Sequence, residues 1–368
     1  MNKRLLSWIR YKSNMGFAKT NIPKLTRKNI DYLGHLPEDY PLIVVSFFAT
    51  NPGSLAKLEV QWEKRDPAHQ RFLGRSEEET TLVTSKDLGG SINLIDPQRL
   101  DFGFLAEIES PVATGMYYHP QKECLFVGSN KWIQKIVGGK IIATLGNTLF
   151  NDLHTLSRNL EGNLLATSTG VDGLLEVSFD NTERLIWSWL ATEHGYDLKP
   201  NGEKRVIDRQ ANYQEVGTST PEHTTHVNSS LNYRTDKILA TLFHQGTLIE
   251  IDKQNGSSRI LLEGLKSPHH ARQRKEGFLV SDTRNNRVLL LDHSFAIKKA
   301  FENDYNWIQD CLELENGHYL IGDSNNSRIV RVDENGHQTE VLEIERGTRK
   351  ISSFLSLTKR EAWKEFYE

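Results

Sequence analysis

A short unit of sequence occurs twice near the end of the chain, and the two copies match without a gap. Residues 279–292 read LVSDTRNNRVLLLD, and residues 320–333 read LIGDSNNSRIVRVD. Each copy contains two short apolar strands joined by a turn of Asp, Asn and Arg residues, which is typical of one blade of a β-propeller. Looser copies occur at 82–96, 164–177 and 238–252. Because such repeats are arranged around one axis, the chain is expected to close into a ring.

The spacing of the repeats predicts an all-β fold, a six-bladed β-propeller. A chain of 368 residues is long enough to bury the core of such a ring. The apolar run at 41–48 (PLIVVSFF) could close the ring onto the last blade, or it could belong to a seventh blade, which is the alternative count. The six predicted blades lie near residues 70–97, 111–145, 151–190, 222–262, 267–300 and 307–345.

The predicted organisation has three parts. Residues 1–40 form a basic N-terminal extension, residues 41–345 form the propeller, and residues 346–368 form a C-terminal segment that contains a short charged helix. Within the propeller, residues 193–222 carry Gly, Pro and charged residues without the blade pattern. A structureless loop of this length in a compact domain is typically a lid or a binding loop. It leads directly to His226, so we expect it to cover the mouth of the channel.

Composition excludes several classes of function. The net charge of −3, from 45 basic and 48 acidic residues, provides no field that would attract nucleic acid, and we predict neither a nucleic-acid partner nor a nucleotide cofactor. Residues 1–17 lack the roughly 7–15 consecutive apolar residues of a signal peptide. We therefore expect a cytoplasmic protein whose N-terminus packs on the propeller wall; peripheral contact with a membrane is the alternative. Cys124 and Cys311 are predicted to be inert buried thiols.

Polar residues recur near the start of the first strand of successive blades. They are His154, His226, the pair His269 and His270, and Asp310. In a blade the first strand lines the channel, so these side chains are expected to converge at one mouth. His154, His226, His269 and His270 are the predicted ligands of a divalent metal of the zinc, iron or copper class, because imidazole binds these ions well.

Two further assignments depend on position within a blade. His244 follows the second strand of blade four and therefore lies at the same mouth, where it is a candidate catalytic residue together with His270 and Asp310. By contrast, the pairs of Asp282 with Arg287 and of Asp323 with Arg328 repeat at equivalent turns. Repetition favours a structural role over an acid–base role, because it fixes each turn in the same way.

Two segments of the chain resemble known families. The NRV and SRI turns at 286–288 and 327–329 resemble NHL-type blades. The segment His226-Val227-Asn228-Ser229 resembles the His-Ile-Asn-Ser signature of arylsulfotransferases, which are six-bladed propellers. Residues 151–165 and 237–252 are similar to other segments of that family, and the resemblance covers residues 145–335.

The resemblance implies a covalent chemistry. His270 would be the nucleophile that takes the sulfuryl group, His154 and His226 would bind that group, and Asn228 would contact the substrate. The sequence departs from the family at His244, which stands where the sulfate-binding arginine is expected. Arg272 or Arg158 would then have to bind the substrate.

Three functions are consistent with the sequence. The first is a metal-dependent enzyme of the lyase, isomerase or hydrolase type that acts on a small organic substrate. The second is a sulfotransferase-like enzyme that uses His270 covalently. The third is a propeller without catalytic activity that binds a partner on one face. A propeller fold alone does not decide between them, because it hosts all three roles.

Overall fold

Six four-stranded antiparallel sheets arranged in a ring make up the computed structural model. It describes residues 26–55, 57, 85–159, 161–178 and 184–367. In chain order the strands are β1 (Pro41–Ala49), β2 (Ser91–Ile95), β3 (Ala106–Glu109), β4 (Ala113–His119), β5 (Cys124–Ser129), β6 (Trp132–Val137), β7 (Lys140–Leu145), β8 (Leu153–Arg158), β9 (Leu164–Ser168), β10 (Gly173–Val177), β11 (Leu185–Leu190), β12 (Val227–Arg234), β13 (Lys237–Leu242), β14 (Thr247–Asp252), β15 (Ser258–Leu262), β16 (Ala271–Arg274), β17 (Gly277–Asp282), β18 (Arg287–Leu291), β19 (Ile297–Glu302), β20 (Ile308–Glu313), β21 (Tyr319–Asp323), β22 (Arg328–Val332), β23 (Gln338–Glu343) and β24 (Lys350–Thr358).

The predicted six-bladed β-propeller is confirmed. Blades 2 to 6 are consecutive along the chain, at β4–β7, β8–β11, β12–β15, β16–β19 and β20–β23. Within the described ranges, the helices with defined bounds are α1 (Arg27–Gly34), α2 (Ser85–Leu88) and α3 (Lys359–Tyr367), and single 3₁₀ turns lie between strands. Among the described residues, no helix combines the length and the apolar character that a bilayer crossing needs. Residues 1–17, predicted to pack on the propeller wall with membrane contact as the alternative, lie outside the described residues.

Burial falls from the second strand of each blade to the fourth. The second strands β5, β9, β17 and β21 are buried along their whole length, whereas the outer strands β15, β19 and β23 are largely exposed. Apolar clusters fill the space between neighbouring blades, and those between blades 1 and 2 and between blades 6 and 1 complete the ring. Side chains on both faces of a central strand are therefore buried, which explains the nearly continuous apolar runs in the sequence.

The ring is closed by the C-terminal strand, which corrects the predicted boundaries. Strand β24 is the innermost strand of blade 1 and pairs antiparallel with β1, with Val45 opposite Phe354 and Leu42 opposite Leu357. The propeller therefore extends beyond residue 345, and the run at 41–48 lies inside blade 1 instead of on the last blade. Of the range 70–97 assigned to blade 1, residues 70–84 lie outside the described residues; the described part contributes α2 and β2.

The repeated Asp and Arg residues stabilise the turns between second and third strands, as predicted. Asp282 accepts hydrogen bonds from Arg287 Nε at 2.8 Å and from the Lys266 backbone N–H at 2.7 Å. Asp323 accepts from Arg328 Nε at 2.7 Å in the next blade. Both carboxylates have no exposed area. Cys124 and Cys311 are buried and do not form a disulfide with each other.

Removal of β24 should prevent folding. Ile351, Phe354 and Leu357 of this strand are buried, and each buried side chain contributes roughly 1.5–3 kcal/mol. Their sum is comparable with the total stability of about 5–15 kcal/mol that is typical of a domain. We expect a chain ending at residue 349 to lack a cooperative thermal transition by circular dichroism. A chain ending at residue 358, which loses only α3, should fold with a lower Tm. Cooperative unfolding of the shorter chain would contradict this role of β24.

Substitution of Glu365 should change how stability depends on pH. This carboxyl lies in α3 with no exposed area, and burial raises its pKa to about 8, against an ordinary value of 4.5. The unfolded chain therefore releases the proton at a lower pH than the folded chain, so stability is lost as the pH rises from 4.5 through 8. Glu365→Gln should raise the Tm at pH 8.5 and leave it nearly unchanged at pH 4.5. An equal effect at both pH values would show that the carboxyl does not titrate in this way.

Candidate active site at the channel mouth

A residue at or a few positions before the start of the first strand adopts a left-handed backbone in blades 3 to 6. Its φ is 50° at Asp152, 47° at His226, 50° at Ser267 and 65° at Trp307. The residue that follows makes the first pair with the second strand, as Leu153, Val227 and Ile308 do with Ser168, Leu242 and Asp323. These positions are therefore structurally equivalent, and residues at the mouth can be compared between blades by counting from them.

This register changes how the predicted histidines are related. His226 is the counterpart of Asp152, whereas His154 and His269 lie two residues beyond the left-handed position, where blade four has Asn228. His270 and Asp310 are one residue further along and share a second level of the channel. The sequence spacing to the following strand does not fix this register, so it predicts equivalent positions for His154, His226 and His269.

His226 has a histidine partner that the sequence analysis did not use. His223 Nδ1 lies 2.7 Å from His226 Nδ1, and the two rings stack with centroids 4.9 Å apart. His223 has no exposed area, and its Nε2 is buried without a hydrogen-bond partner. Asp152 completes a group in which one ligand atom from each residue lies within 4.8 Å of the others. The HTTH spacing at 223–226 is the sequence signal that could have identified the pair.

A buried carboxylate shapes the turn that carries these two histidines. Asp172, between β9 and β10, accepts hydrogen bonds from three consecutive backbone N–H groups, those of Thr224, Thr225 and His226, at 2.8–2.9 Å. Successive N–H groups that converge on one anion form a nest. Asp172 also forms an ion pair with Arg205 of the segment 193–222. Its burial opposes ionisation, but His223, Arg205 and these N–H groups outweigh burial and lower its pKa.

The histidine pair is uncharged at neutral pH. Burial lowers the pKa of His223 to about 4, and burial together with the proximity of His223 holds the pKa of His226 well below its ordinary value. A neutral imidazole is the form that coordinates a metal. The two rings are therefore uncharged, and the proton of their Nδ1–Nδ1 hydrogen bond would have to move to Nε2 of one ring before both Nδ1 atoms could bind an ion.

Ring contacts link the histidines of the mouth through Phe243. The ring of Phe243 lies 4.9 Å from that of His226 and 5.7 Å from that of His269. The His154 ring lies 5.3 Å from that of His226. His269 Nδ1 contacts Ser267 O at 3.0 Å and Thr283 Oγ1 at 2.9 Å. Of the described residues, only Asp152, His223 and His226 gather three potential ligand atoms, so His154, His269 and His270 do not join them in one group.

His270 and Asp310 lie deeper, in a buried network at the channel wall. Asp310 accepts from Arg272 Nε at 2.7 Å, from Arg272 Nη2 at 2.5 Å and from the Phe354 backbone N–H at 2.8 Å. His270 Nδ1 lies 2.9 Å from Gln309 O, and its Nε2 is 3.9 Å from Asp310 Oδ2. The polar atoms of Asp310 and Arg272 therefore connect blades 5 and 6 to β24. The catalytic role of Asp310 and the substrate-binding role of Arg272 stay predictions.

The three other predicted site residues, His244, Asn228 and Arg158, differ in their contacts and in their distance from the mouth. His244 Nε2 lies 2.9 Å from Thr220 O, so this side chain contacts the segment 193–222. Asn228 donates to Pro268 O at 2.8 Å and keeps its Oδ1 buried without a partner. Arg158 is at the far end of β8, about 13 Å along the strand from His154, because each residue of a strand advances about 3.3 Å. It therefore does not belong to the mouth.

The segment 193–222 lies over the same mouth. Asn151 Nδ2 donates to Tyr213 O at 2.6 Å and to Val216 O at 2.8 Å, and Lys131 Nζ donates to Gln214 O at 2.9 Å. These contacts attach it to the turns of blades 2 and 3. With its contact to His244 in blade four, the segment spans three blades, and we call it the lid.

Comparisons with known proteins support the fold and leave the chemistry open. No protein-family model matches the chain, and no curated protein matches it. A protein of unknown function from Bacteroides caccae is similar over 73% of this chain and 94% of its own, with 14% identity and a TM-score of 0.51. Virginiamycin B lyase from Staphylococcus aureus is similar over 63% and 70%, with 10% identity and a TM-score of 0.43. At such identities the likeness concerns the fold alone.

Removal of the Asp310 carboxylate charge should destabilise the protein without affecting the mouth. Asp310→Asn leaves Arg272 buried without its counter-ion, and breaking a buried pair in this way costs about 3–5 kcal/mol. Chemical denaturation should detect this loss. The control is Asp101→Asn, which breaks an exposed pair with Arg99 and should have little effect. Equal effects of the two substitutions would argue against a structural role for Asp310.

Proposed function

We propose that the protein is a metal-dependent enzyme that acts on a small organic substrate at the channel mouth, with Asp152, His223 and His226 as the metal ligands. The observation that carries this proposal is the approach of one carboxylate and two buried imidazoles to within 4.8 Å of one another. These three side chains come from two neighbouring blades. Both imidazoles are buried, whereas the Asp152 side chain is 38% exposed and so faces the open part of the mouth.

The donor set suits a transition metal. Two imidazoles and one carboxylate are ligands of zinc and of non-haem iron sites, and three protein ligands leave coordination positions for a substrate. A divalent cation held there would act as a Lewis acid toward a polar group of the substrate. The separation of 2.7 Å between the two Nδ1 atoms is shorter than that of two ligands on one ion in a tetrahedral site, so the rings would move slightly apart on binding.

His154 is the residue we assign to proton transfer. It adjoins His226, and its Nδ1 lies 3.0 Å from the backbone O of Asp152. A donor hydrogen bond from Nδ1 leaves Nε2 as the nitrogen that accepts a proton. The His154 side chain is 21% exposed, so a substrate at the mouth could reach it.

A covalent mechanism through His270 is the second candidate, because Nε2 of this residue is buried without a hydrogen-bond partner. The imidazole could accept a transferred group at that atom, as the resemblance to arylsulfotransferases implies. The neighbouring arginine supports this candidate poorly, since Arg272 already donates to Asp310 and to Phe354 O.

Metal analysis of untagged protein tests the proposal. We expect about one equivalent of zinc, iron or copper in the wild type, as is typical for a single site of this kind. Metal affinity in His223→Ala should fall by more than the roughly 10–100-fold that is usual for loss of an outer partner of a metal ligand. The control is His337→Ala, which removes an exposed histidine far from the mouth. Unchanged affinity in His223→Ala would rule out the assigned ligands, and a sulfo-adduct on His270 in metal-free protein treated with an aryl sulfate would favour the second candidate.

A further inference from the structure

We propose that Asp172 is the positioning residue of the metal site and that Arg205 of the lid holds it in place, so that lid closure and metal binding strengthen one another. This inference rests on the proposed function, because it concerns the same site. Neither residue belongs to the ligand group. Their effect on the site is transmitted by the backbone between His223 and His226.

The two oxygens of Asp172 divide their partners between the histidine turn and the lid. Oδ1 accepts from Thr225 N, Thr225 Oγ1 and His226 N, each at 2.8 Å. Oδ2 accepts from Thr224 N at 2.9 Å and also from Arg205 Nη1. The carboxylate has no exposed area. One oxygen thus connects the lid directly to the residues that separate the two histidines.

Arg205 is the lid residue that fixes this contact. Its side chain is only 10% exposed, and Nη2 donates to Gly170 O at 2.6 Å. The guanidinium therefore bridges the side chain of Asp172 and the turn that precedes it. A planar fork can make both contacts at once, whereas a lysine ammonium keeps the charge without this geometry.

Loss of Arg205 should disturb the site through electrostatics. A buried carboxylate without its cation is unfavourable, and the cost is reduced by rearrangement or by the entry of water. Either response would alter the N–H groups of Thr224, Thr225 and His226 that converge on Asp172. The relative orientation of the His223 and His226 rings depends on this turn. A lid without Arg205 would therefore leave the two imidazoles less well arranged for one ion.

Linkage makes the effect reciprocal. If a closed lid raises the affinity for metal, bound metal must stabilise the closed lid by the same factor. The lid contains a reporter of this effect, because Lys204 has a side chain that is 68% exposed and is a site for trypsin. Cleavage after Lys204 should slow when metal binds, since proteolysis follows the population of the open form when opening is fast.

The test compares two arginines of the lid with Zn²⁺ as the probe. Arg205→Gln removes the contact with Asp172. The matched control, Arg209→Gln, removes an arginine that pairs with Glu193 and Ser188 instead. Both variants retain Lys204. Zinc affinity is measured by competition with a chromophoric chelator, and cleavage after Lys204 is followed by mass spectrometry with and without zinc.

We expect Arg205→Gln to lower zinc affinity about 10–100-fold, in the range seen for partners that orient metal ligands, and to lose most of the protection by zinc. Arg209→Gln should behave as the wild type in both assays. Arg205→Lys, which keeps the charge, should be intermediate, and it replaces Arg205→Gln if that variant does not fold. Equal zinc affinity and protection in the variants of Arg205 and Arg209 would overturn the inference while leaving the metal site intact. Failure of the wild type to bind zinc, iron or copper would instead overturn the proposed function.

Discussion

The antiparallel pairing of β1 with β24 holds the whole ring together. A propeller consists of blades that contact only their two neighbours, so an open ring would expose an apolar face at each end. Here the first and last strands of the ring share blade 1, and the cores on both sides of that blade include residues from β1. The channel has a fixed diameter only because this pairing closes it. The geometry of the mouth therefore depends on contacts between residues that are about 300 positions apart in sequence.

Charged groups inside the channel fall into two kinds. Asp310 with Arg272 joins blades 5 and 6 to the closing strand, and its atoms are occupied within the protein. Asp172 is likewise buried and ionised, but its partners are the turn beside His223 and the lid. Burial costs each carboxylate its hydration, and each recovers the loss through several hydrogen bonds. The first kind stabilises the ring, whereas the second connects the lid to the mouth.

The blade pattern could be predicted from the sequence because it is local. The strands of blades 2 to 6 follow short apolar runs, and the turns at Asp282 and Asp323 repeat without a gap. Strand β24 was not predicted, because its partner β1 is far away in sequence and no turn motif adjoins it. At the site, the histidines were found by residue type, but their register depended on a left-handed residue that has no fixed identity. The contact of Asp172 with Arg205 could not be predicted, because Arg205 lies in the lid, outside the blade repeat, and the repeat therefore does not relate it to the turn of Asp172.

The left-handed position at the start of each blade has a consequence for how such a site can change. Asp152, His226, Ser267 and Trp307 adopt nearly the same backbone there, although their side chains have little in common. The blade imposes this backbone conformation, so any non-glycine residue at the position carries the free-energy cost of a positive φ. A single substitution can thus add or remove a chemical group at the rim without remodelling a loop. Each of these four blades presents one such replaceable position, so the rim can acquire new chemistry one blade at a time.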